Sequence, residues 1–219
     1  MNARTHDSLP GHGAPRRRPL LALLAAGLVV LAPLAAAETP PSEAAYEAGV
    51  EARDAGDTDT AAEHFRRAAE LGSDEAAFQL AIMYEHGRGV PASMRRAMEW
   101  YHQAAEAGNE KAQFNLAHLY ATGRNMEHDP AAAAKWYRES ATQDNPHAQF
   151  ALGLMLYFGE ENVPRDLVEA YKWLSLAVLN FDTNHFRDDA GDARRHVLEE
   201  MNAEQEEEGR RRVNEHRNR

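Results

Sequence analysis

The chain has 219 residues, of which 43% are hydrophobic, and its formal net charge is −11. This apolar content is sufficient for one or two globular domains and excludes a wholly disordered chain. The sequence contains no cysteine, which excludes disulfide bonds, thiolate metal sites and a cysteine nucleophile.

The first 37 residues are predicted to be an export signal rather than part of the fold. Arg16, Arg17 and Arg18 precede an apolar run from Leu20 to Leu34, and the three alanines that follow suit signal peptidase cleavage after Ala37. We therefore expect a periplasmic or secreted chain, and the arginines leave the general and twin-arginine export routes open. The run is about 15 residues long against about 20 for a spanning helix, and an uncleaved anchor in the inner membrane is the alternative.

Removal of residues 1–37 would leave a strongly acidic chain. That segment holds four of the 24 basic side chains and one of the 35 acidic ones, so 20 basic and 34 acidic side chains remain. Binding to nucleic acids and to anionic membranes depends on Lys and Arg residues that neutralise phosphates. Both partners are therefore disfavoured.

A first helix hairpin is predicted over residues 38–72. This segment resembles a tetratricopeptide repeat, because small and aromatic residues lie at the spacing of that 34-residue unit: Gly49, Gly56, Ala61, Phe65 and Ala68.

Three longer units follow, at residues 73–109, 110–145 and 146–182. Phe78, Phe114 and Phe150 lie 36 residues apart. The same interval separates one leucine and one glycine of each unit from their equivalents in the next, which are Leu80, Leu116 and Leu152 and Gly87, Gly123 and Gly159. Within a unit, apolar residues recur at i, i+3, i+4 and i+7, which predicts two amphipathic helices, and a glycine-containing turn lies between them. Each unit is thus a helix hairpin.

A lone hairpin cannot bury both of its apolar faces, so neighbouring hairpins must stack. The sequence predicts an all-α fold, a right-handed α-solenoid of antiparallel helix hairpins. Residues 183–219 are predicted to be charged capping helices that close the solenoid. They contain a capping-box pair, Asn202 and Gln205, and three Glu/Arg pairs at i, i+4, which are Glu206/Arg210, Glu207/Arg211 and Glu208/Arg212.

The units resemble the Sel1-like repeat, a relative of the tetratricopeptide repeat. Residues 76–109 follow its pattern A-x-x-x-L-G-x-x-Y-x-x-G-x-G-V and then D-x-x-K-A-x-x-W-Y-x-x-A-A-x-x-G, although Ser93 replaces the aspartate. The turns after Gly123 and Gly159 depart from the pattern. The resemblance implies a non-catalytic scaffold that binds another protein or a peptide. It also implies a regulatory or assembly role in the bacterial cell envelope.

We expect the partner to lie on a concave face formed by the first helix of each hairpin. The predicted protein-binding residues occupy the fifth and ninth positions of these helices and positions one turn later. They are Tyr46, Val50, Arg53, Phe78, Ile82, Glu85, His86, Phe114, His118, Phe150, Leu154 and Tyr157. Packing between neighbouring units is the competing interpretation for the aromatic residues at the fifth position.

Other chemistry finds little support in the sequence. Trp100, Trp136 and Trp173 recur on an apolar stripe and are predicted to be core residues rather than a ligand cage. The histidines lack the close spacing of a zinc site, and neither S-x-x-K nor G-x-S-x-G occurs after residue 37. We therefore predict no catalytic residue, no metal site and no cofactor. An exported hydrolase of the β-lactamase type is one alternative, and a self-associating structural component is another.

Overall fold

The computed structural model describes residues 39–124 and 127–219. The predicted export signal, residues 1–37, and the predicted variant turn residues Asn125 and Met126 lie outside this range. Within it, no helix has both the length and the hydropathy needed to cross a membrane.

The described residues form ten helices joined by turns. These are α1 (Pro41–Asp54), α2 (Thr58–Glu70), α3 (Asp74–His86), α4 (Met94–Glu106), α5 (Glu110–Thr122), α6 (Pro130–Thr142), α7 (Pro146–Phe158), α8 (Leu167–Asn180), α9 (Asn184–Glu200) and α10 (Ala203–Arg217).

The first eight helices pack as four successive pairs, and the first helix of each pair also packs on the second helix of the pair before it. Polar caps set where the helices start. The side chains of Ser73, Asn109 and Asn145 each accept a hydrogen bond from a backbone N–H in the first turn of α3, α5 and α7. This chain of stacked pairs is the predicted all-α solenoid.

Equivalent residues of the repeats form the core. Leu80, Leu116 and Leu152 are fully buried, one in the first helix of each long unit. The next residue is always small, because the second helix of the pair lies close to it. At Gly153 there is no room for a side chain, since an added Cβ would lie 2.7 Å from Leu174 Cγ.

The turns inside the pairs differ in shape. Gly87 and Gly123 end their helices in the left-handed conformation, with φ of 67° and 61°. After α7, Gly159 has φ 71° and ψ 144°, and Glu160 and Val163 exchange two backbone hydrogen bonds of 2.8 and 2.9 Å. The segment between α7 and α8, residues 159–166, is one residue longer than the equivalent segments of the two preceding pairs, and Asn162 in it also has a positive φ of 62°.

The two C-terminal helices do not repeat the pairing of the others. Helix α9 packs on α8, and α10 also packs on α8 rather than on α9. The predicted capping box of α10 is confirmed, because Asn202 and Gln205 exchange hydrogen bonds of 3.0 and 2.9 Å.

Two of the three predicted Glu/Arg pairs of α10 also form, Glu206/Arg210 and Glu208/Arg212. The predicted Glu207/Arg211 pair is wrong, because Arg211 instead lies between Glu208 and Glu215 on the same helix. The i−3 and i+4 carboxylates both reach this guanidinium and so displace Glu207.

Candidate binding face on the first helices

A concavity on the first-helix face lies between α3 and α5. It has a volume of about 290 Å³ and brings together four of the predicted binding residues, Ile82, Glu85, His86 and His118. Four further residues, which the sequence did not single out as binding residues, complete its lining: Tyr101, Asn115, Leu119 and Arg124. We call this concavity the α3/α5 pocket.

A hydrogen-bond network fixes the polar side of the α3/α5 pocket. The Tyr101 hydroxyl donates to Glu85 Oε2 at 2.7 Å, and Asn115 Nδ2 donates to the same hydroxyl oxygen at 3.3 Å. Burial, together with the hydrogen bond to Glu85, raises the pKa of Tyr101 well above its ordinary value, so the phenol stays a donor. The Glu85 carboxylate is thereby held in one orientation.

The other side chains around the pocket are available to a ligand. His86, His118 and Arg124 are exposed, and Ile82 is half-buried. Imidazole and guanidinium groups donate hydrogen bonds, whereas Glu85 accepts them. The pocket therefore combines hydrogen-bond donors, a hydrogen-bond acceptor and an apolar wall formed by Ile82 and Leu119.

Three of the four aromatic residues at the fifth position contact a ring on the second helix of their own pair. The ring centres of Phe78 and Tyr101 lie 6.1 Å apart, and those of Phe114 and Tyr137 lie 5.8 Å apart. Phe78 is buried, while the equivalent Tyr46, Phe114 and Phe150 stay half-buried. These aromatic residues thus contribute to the core and also keep an edge on the first-helix face.

The remaining predicted residues flank the pocket without lining it. Val50 and Arg53 lie on α1, where Arg53 forms an exposed 3.0 Å ion pair with its neighbour Asp54. At the other end, Leu154 lies half-buried on α7. The Tyr157 hydroxyl donates to Glu200 Oε1 at 2.6 Å, which ties this end of α7 to the end of α9.

A row of exposed rings near the C-terminal helices was not predicted from the sequence. The His147 ring lies 5.9 Å from Phe114 and 5.1 Å from Phe186, and Phe186 is 42% exposed. His147 is the second residue of α7 and lies three residues before Phe150, the fifth. Helical periodicity could therefore have grouped His147 with the predicted binding residues. Phe186 had no such signal because α9 lies outside the repeats.

The three tryptophans pack on the core to different depths. Trp136 and Trp173 are 9% and 1% exposed, as predicted, with Lys135 and Lys172 ammonium groups 4.6 and 4.0 Å from their ring centres. Trp100 is half-buried and packs against the same core from its edge. Residues 39–124 and 127–219 contain no group of three or more His, Asp or Glu side chains placed to hold a metal ion.

Comparison with known proteins identifies the repeat. A family model described as Sel1 repeat matches residues 42–73, 74–109, 110–145 and 146–180. A Sel1 repeat protein from Oxalobacter formigenes has a similar structure, with a TM-score of 0.63 and 23% sequence identity over 70% of this chain and 64% of that protein. The chain thus spans 64% of the length of that structure, and the likeness supports the fold.

Two further solved structures are more distant. A protective antigen of uropathogenic Escherichia coli with an SLR fold gives a TM-score of 0.48 and 25% identity over 81% of this chain and 45% of that protein. A Sel1 repeat protein from Klebsiella pneumoniae gives 0.43 and 21% over 73% of this chain and 78% of that protein. No curated protein matched the chain.

Proposed function

Because this chain belongs to the Sel1 repeat family, we propose that it is a non-catalytic scaffold of the bacterial cell envelope that binds a protein or peptide on its first-helix face. Sel1 repeat proteins act generally as protein-interaction scaffolds. The envelope location and the regulatory or assembly role rest on the export signal predicted in residues 1–37 and on the resemblance to exported family members.

The α3/α5 pocket is the observation that carries this proposal. Its polar groups are fixed in place by the Glu85, Tyr101 and Asn115 network, so little conformational entropy is lost when a ligand binds. An extended peptide has alternating backbone donors and acceptors, which suit Glu85 on one side and the His118 and Arg124 groups on the other. Ile82 and Leu119 would contact an apolar side chain of that peptide.

A capture experiment with matched variants tests the proposal. The purified protein would be compared with a triple variant, Ile82→Glu, His118→Glu and Leu154→Glu, as bait in an envelope extract. These substitutions place three negative charges along the ninth positions of α3, α5 and α7. The control variant carries three glutamates at exposed positions of second helices or their ends, Leu71→Glu, Ala131→Glu and Leu179→Glu.

We expect one partner to be captured by the unmodified protein and by the control variant, and to be lost with the ninth-position variant. Far-UV circular dichroism would confirm that all three proteins have the same helicity. Equal capture by both variants would place recognition elsewhere on the molecule and overturn the assignment of the face. Capture of no protein at all by the unmodified chain would count against the scaffold role itself.

A further inference from the structure

On the opposite side of α3, two arginines converge on one phenol oxygen. Arg66 Nη2, from α2, and Arg96 Nη1, from α4, each donate to the Tyr84 hydroxyl oxygen at 3.3 Å. The Arg96 guanidinium also lies 5.5 Å from the centre of the Tyr84 ring. We call these three residues the Arg66/Tyr84/Arg96 cluster.

The cluster contains a hydroxyl group that donates no hydrogen bond within the described part of the chain. Guanidinium groups only donate, so the Tyr84 oxygen accepts both of these hydrogen bonds and must turn its own proton elsewhere. Tyr84 is 3% exposed, and among the described residues its hydroxyl donates no hydrogen bond. Burial raises the pKa of Tyr84, but the two arginines outweigh it and the pKa is lowered overall.

Neither arginine of the cluster forms an ion pair with a carboxylate of the described residues. Within residues 39–124 and 127–219, no acidic side chain lies within 4.0 Å of either Arg66 or Arg96, although other arginines of the chain form such pairs. Arg96 also lies in the first turn of α4, which contains no acidic residue, and the positive end of the helix dipole disfavours a cation there. This is an electropositive spot on a chain of net charge −11.

The other repeats show that the fold does not need these arginines. At the next junction the equivalent residues are His102, Tyr120 and Ala132, where the His102 ring contacts the Tyr120 hydroxyl at 3.0 Å.

At the last junction the equivalent residues are Arg138, Leu156 and Glu169, and they line a groove of about 270 Å³. The three residues of the cluster therefore occupy a position that is open at the surface elsewhere in the same solenoid. Two guanidinium groups and a hydroxyl are not a requirement of the stacking.

We propose that Arg66, Arg96 and the Tyr84 hydroxyl bind an oxyanion of the phosphate type. Three donors from three helices suit a tetrahedral group with several oxygens better than a carboxylate with two. The expected ligand is a small soluble phosphate or phosphate ester, because the acidic chain is repelled by an anionic lipid surface. This proposal is independent of the binding face on the first helices.

Titration with inorganic phosphate at constant ionic strength tests the proposal. Calorimetry on the purified chain should show saturable binding, and acetate should bind more weakly. Arg66→Gln and Arg96→Gln should each weaken phosphate binding by about tenfold or more, because each removes a charge-assisted hydrogen bond. Tyr84→Phe keeps the buried ring and should give a smaller loss.

Arg95→Gln is the matched control, since it removes the same charge one residue away from Arg96. Arg95 is exposed and forms a 2.7 Å ion pair with Glu99. Arg95→Gln should therefore bind phosphate with the same affinity as the unmodified protein. An equal loss of phosphate affinity in Arg95→Gln and Arg96→Gln would show that only the net charge of the protein matters, and this would overturn the proposed site. Absence of saturable phosphate binding to the unmodified chain would overturn it as well.

A vesicle arm distinguishes the source of the phosphate group. Co-sedimentation with vesicles of phosphatidylcholine alone and of phosphatidylcholine with phosphatidic acid would be compared for the unmodified chain and Arg96→Gln. We expect no sedimentation with either vesicle. Sedimentation with phosphatidic acid that depends on Arg96 would overturn the assignment to a small soluble ligand.

Discussion

Helices α4 and α8 have the same place in the repeat and the same tryptophan, yet they differ in what lies outside them. Trp100 of α4 is half-buried, whereas Trp173 of α8 is 1% exposed. Helix α10 packs on α8, and its His216 ring meets the Trp173 ring edge-on at 5.5 Å. The Trp173 Nε1–H also donates to Glu169 Oε2 at 2.9 Å.

This contrast shows that the repeat spacing determines which helices pair, while the next element in space determines how deeply a given position is buried. A motif read along one helix contains the first kind of information only. The following changes test the contrast between α4 and α8, from the largest expected effect to the smallest.

Truncation of the two tryptophans should show the largest difference between α4 and α8. Trp173→Ala should lower the free energy of unfolding by about 3–5 kcal/mol, because it leaves a cavity between α8 and α10. Trp100→Ala should cost about 1 kcal/mol, as expected for a partly solvated position. Urea denaturation followed by far-UV circular dichroism measures both, and similar losses in the two variants would contradict the assigned roles.

Two glycines in the C-terminal helices test how closely α10 packs on α8. A Cβ at Gly209 would lie 2.6 Å from Tyr171 Cδ1, so Gly209→Ala should destabilise the protein by about 1–3 kcal/mol. At Gly191 of α9 an added Cβ meets nothing within 4 Å. Gly191→Ala should stabilise the helix by about 0.5–1 kcal/mol, since alanine has the higher helix propensity.

The midpoint of thermal unfolding gives the sign of each effect. If Gly209→Ala also raised the midpoint, α10 would not be seated on Tyr171 and the difference between α4 and α8 would have another cause.

Arg212 links α10 to α8 electrostatically. Its Nη1 donates to Glu169 Oε1 at 2.6 Å and its Nε donates to Glu208 Oε1 at 2.7 Å. Burial opposes ionisation of Glu169, but Arg212 and Lys172 outweigh it and lower the pKa of this carboxyl. Arg212→Met should therefore cost about 1 kcal/mol at neutral pH.

The matched control for this change is Arg210→Met, which removes an exposed arginine that pairs with Glu206 on α10. We expect no measurable change in the urea midpoint for this control. Equal effects of the two substitutions would mean that Arg212 contributes only as a surface charge.

Much of the fold was predictable from the sequence because its signals are local. Glycine turns and polar caps act within a few residues of the helix they bound, and the 36-residue interval of Phe78, Phe114 and Phe150 indicates the stacking. The seating of α10 on α8 was not predictable. It depends on Gly209, which meets Tyr171 but lies after the last repeat, so the repeat pattern carries no information about it.

The candidate site was predictable in part for the same reason. Ile82, Glu85, His86 and His118 share one face of the first helices, so helical periodicity is sufficient to group them. Tyr101 comes from the second helix, and its spacing marks it as core. Only the three-dimensional arrangement shows that its hydroxyl reaches Glu85 and joins the pocket.

A pH effect is expected from α4, where His102 contacts the Tyr120 hydroxyl at 3.0 Å. Burial lowers the pKa of His102 below its ordinary value of 6.5, because the charged imidazole is disfavoured in the fold. At a pH below 6.5 the unfolded chain gains a proton that the folded chain does not yet bind. The contribution of His102 to stability is therefore complete above that value and is lost as the pH falls through the folded pKa.

The test is the difference in free energy of unfolding between the unmodified protein and His102→Gln, measured from pH 7.5 down to pH 5.5. We expect the unmodified protein to lose stability faster over this interval, because glutamine does not titrate. The carboxyl of Glu169 on α8 has its pKa lowered from 4.5 and so contributes below this interval. An identical slope in the two proteins would show that the solvent reaches His102 freely and that α4 is even less covered than its half-buried tryptophan indicates.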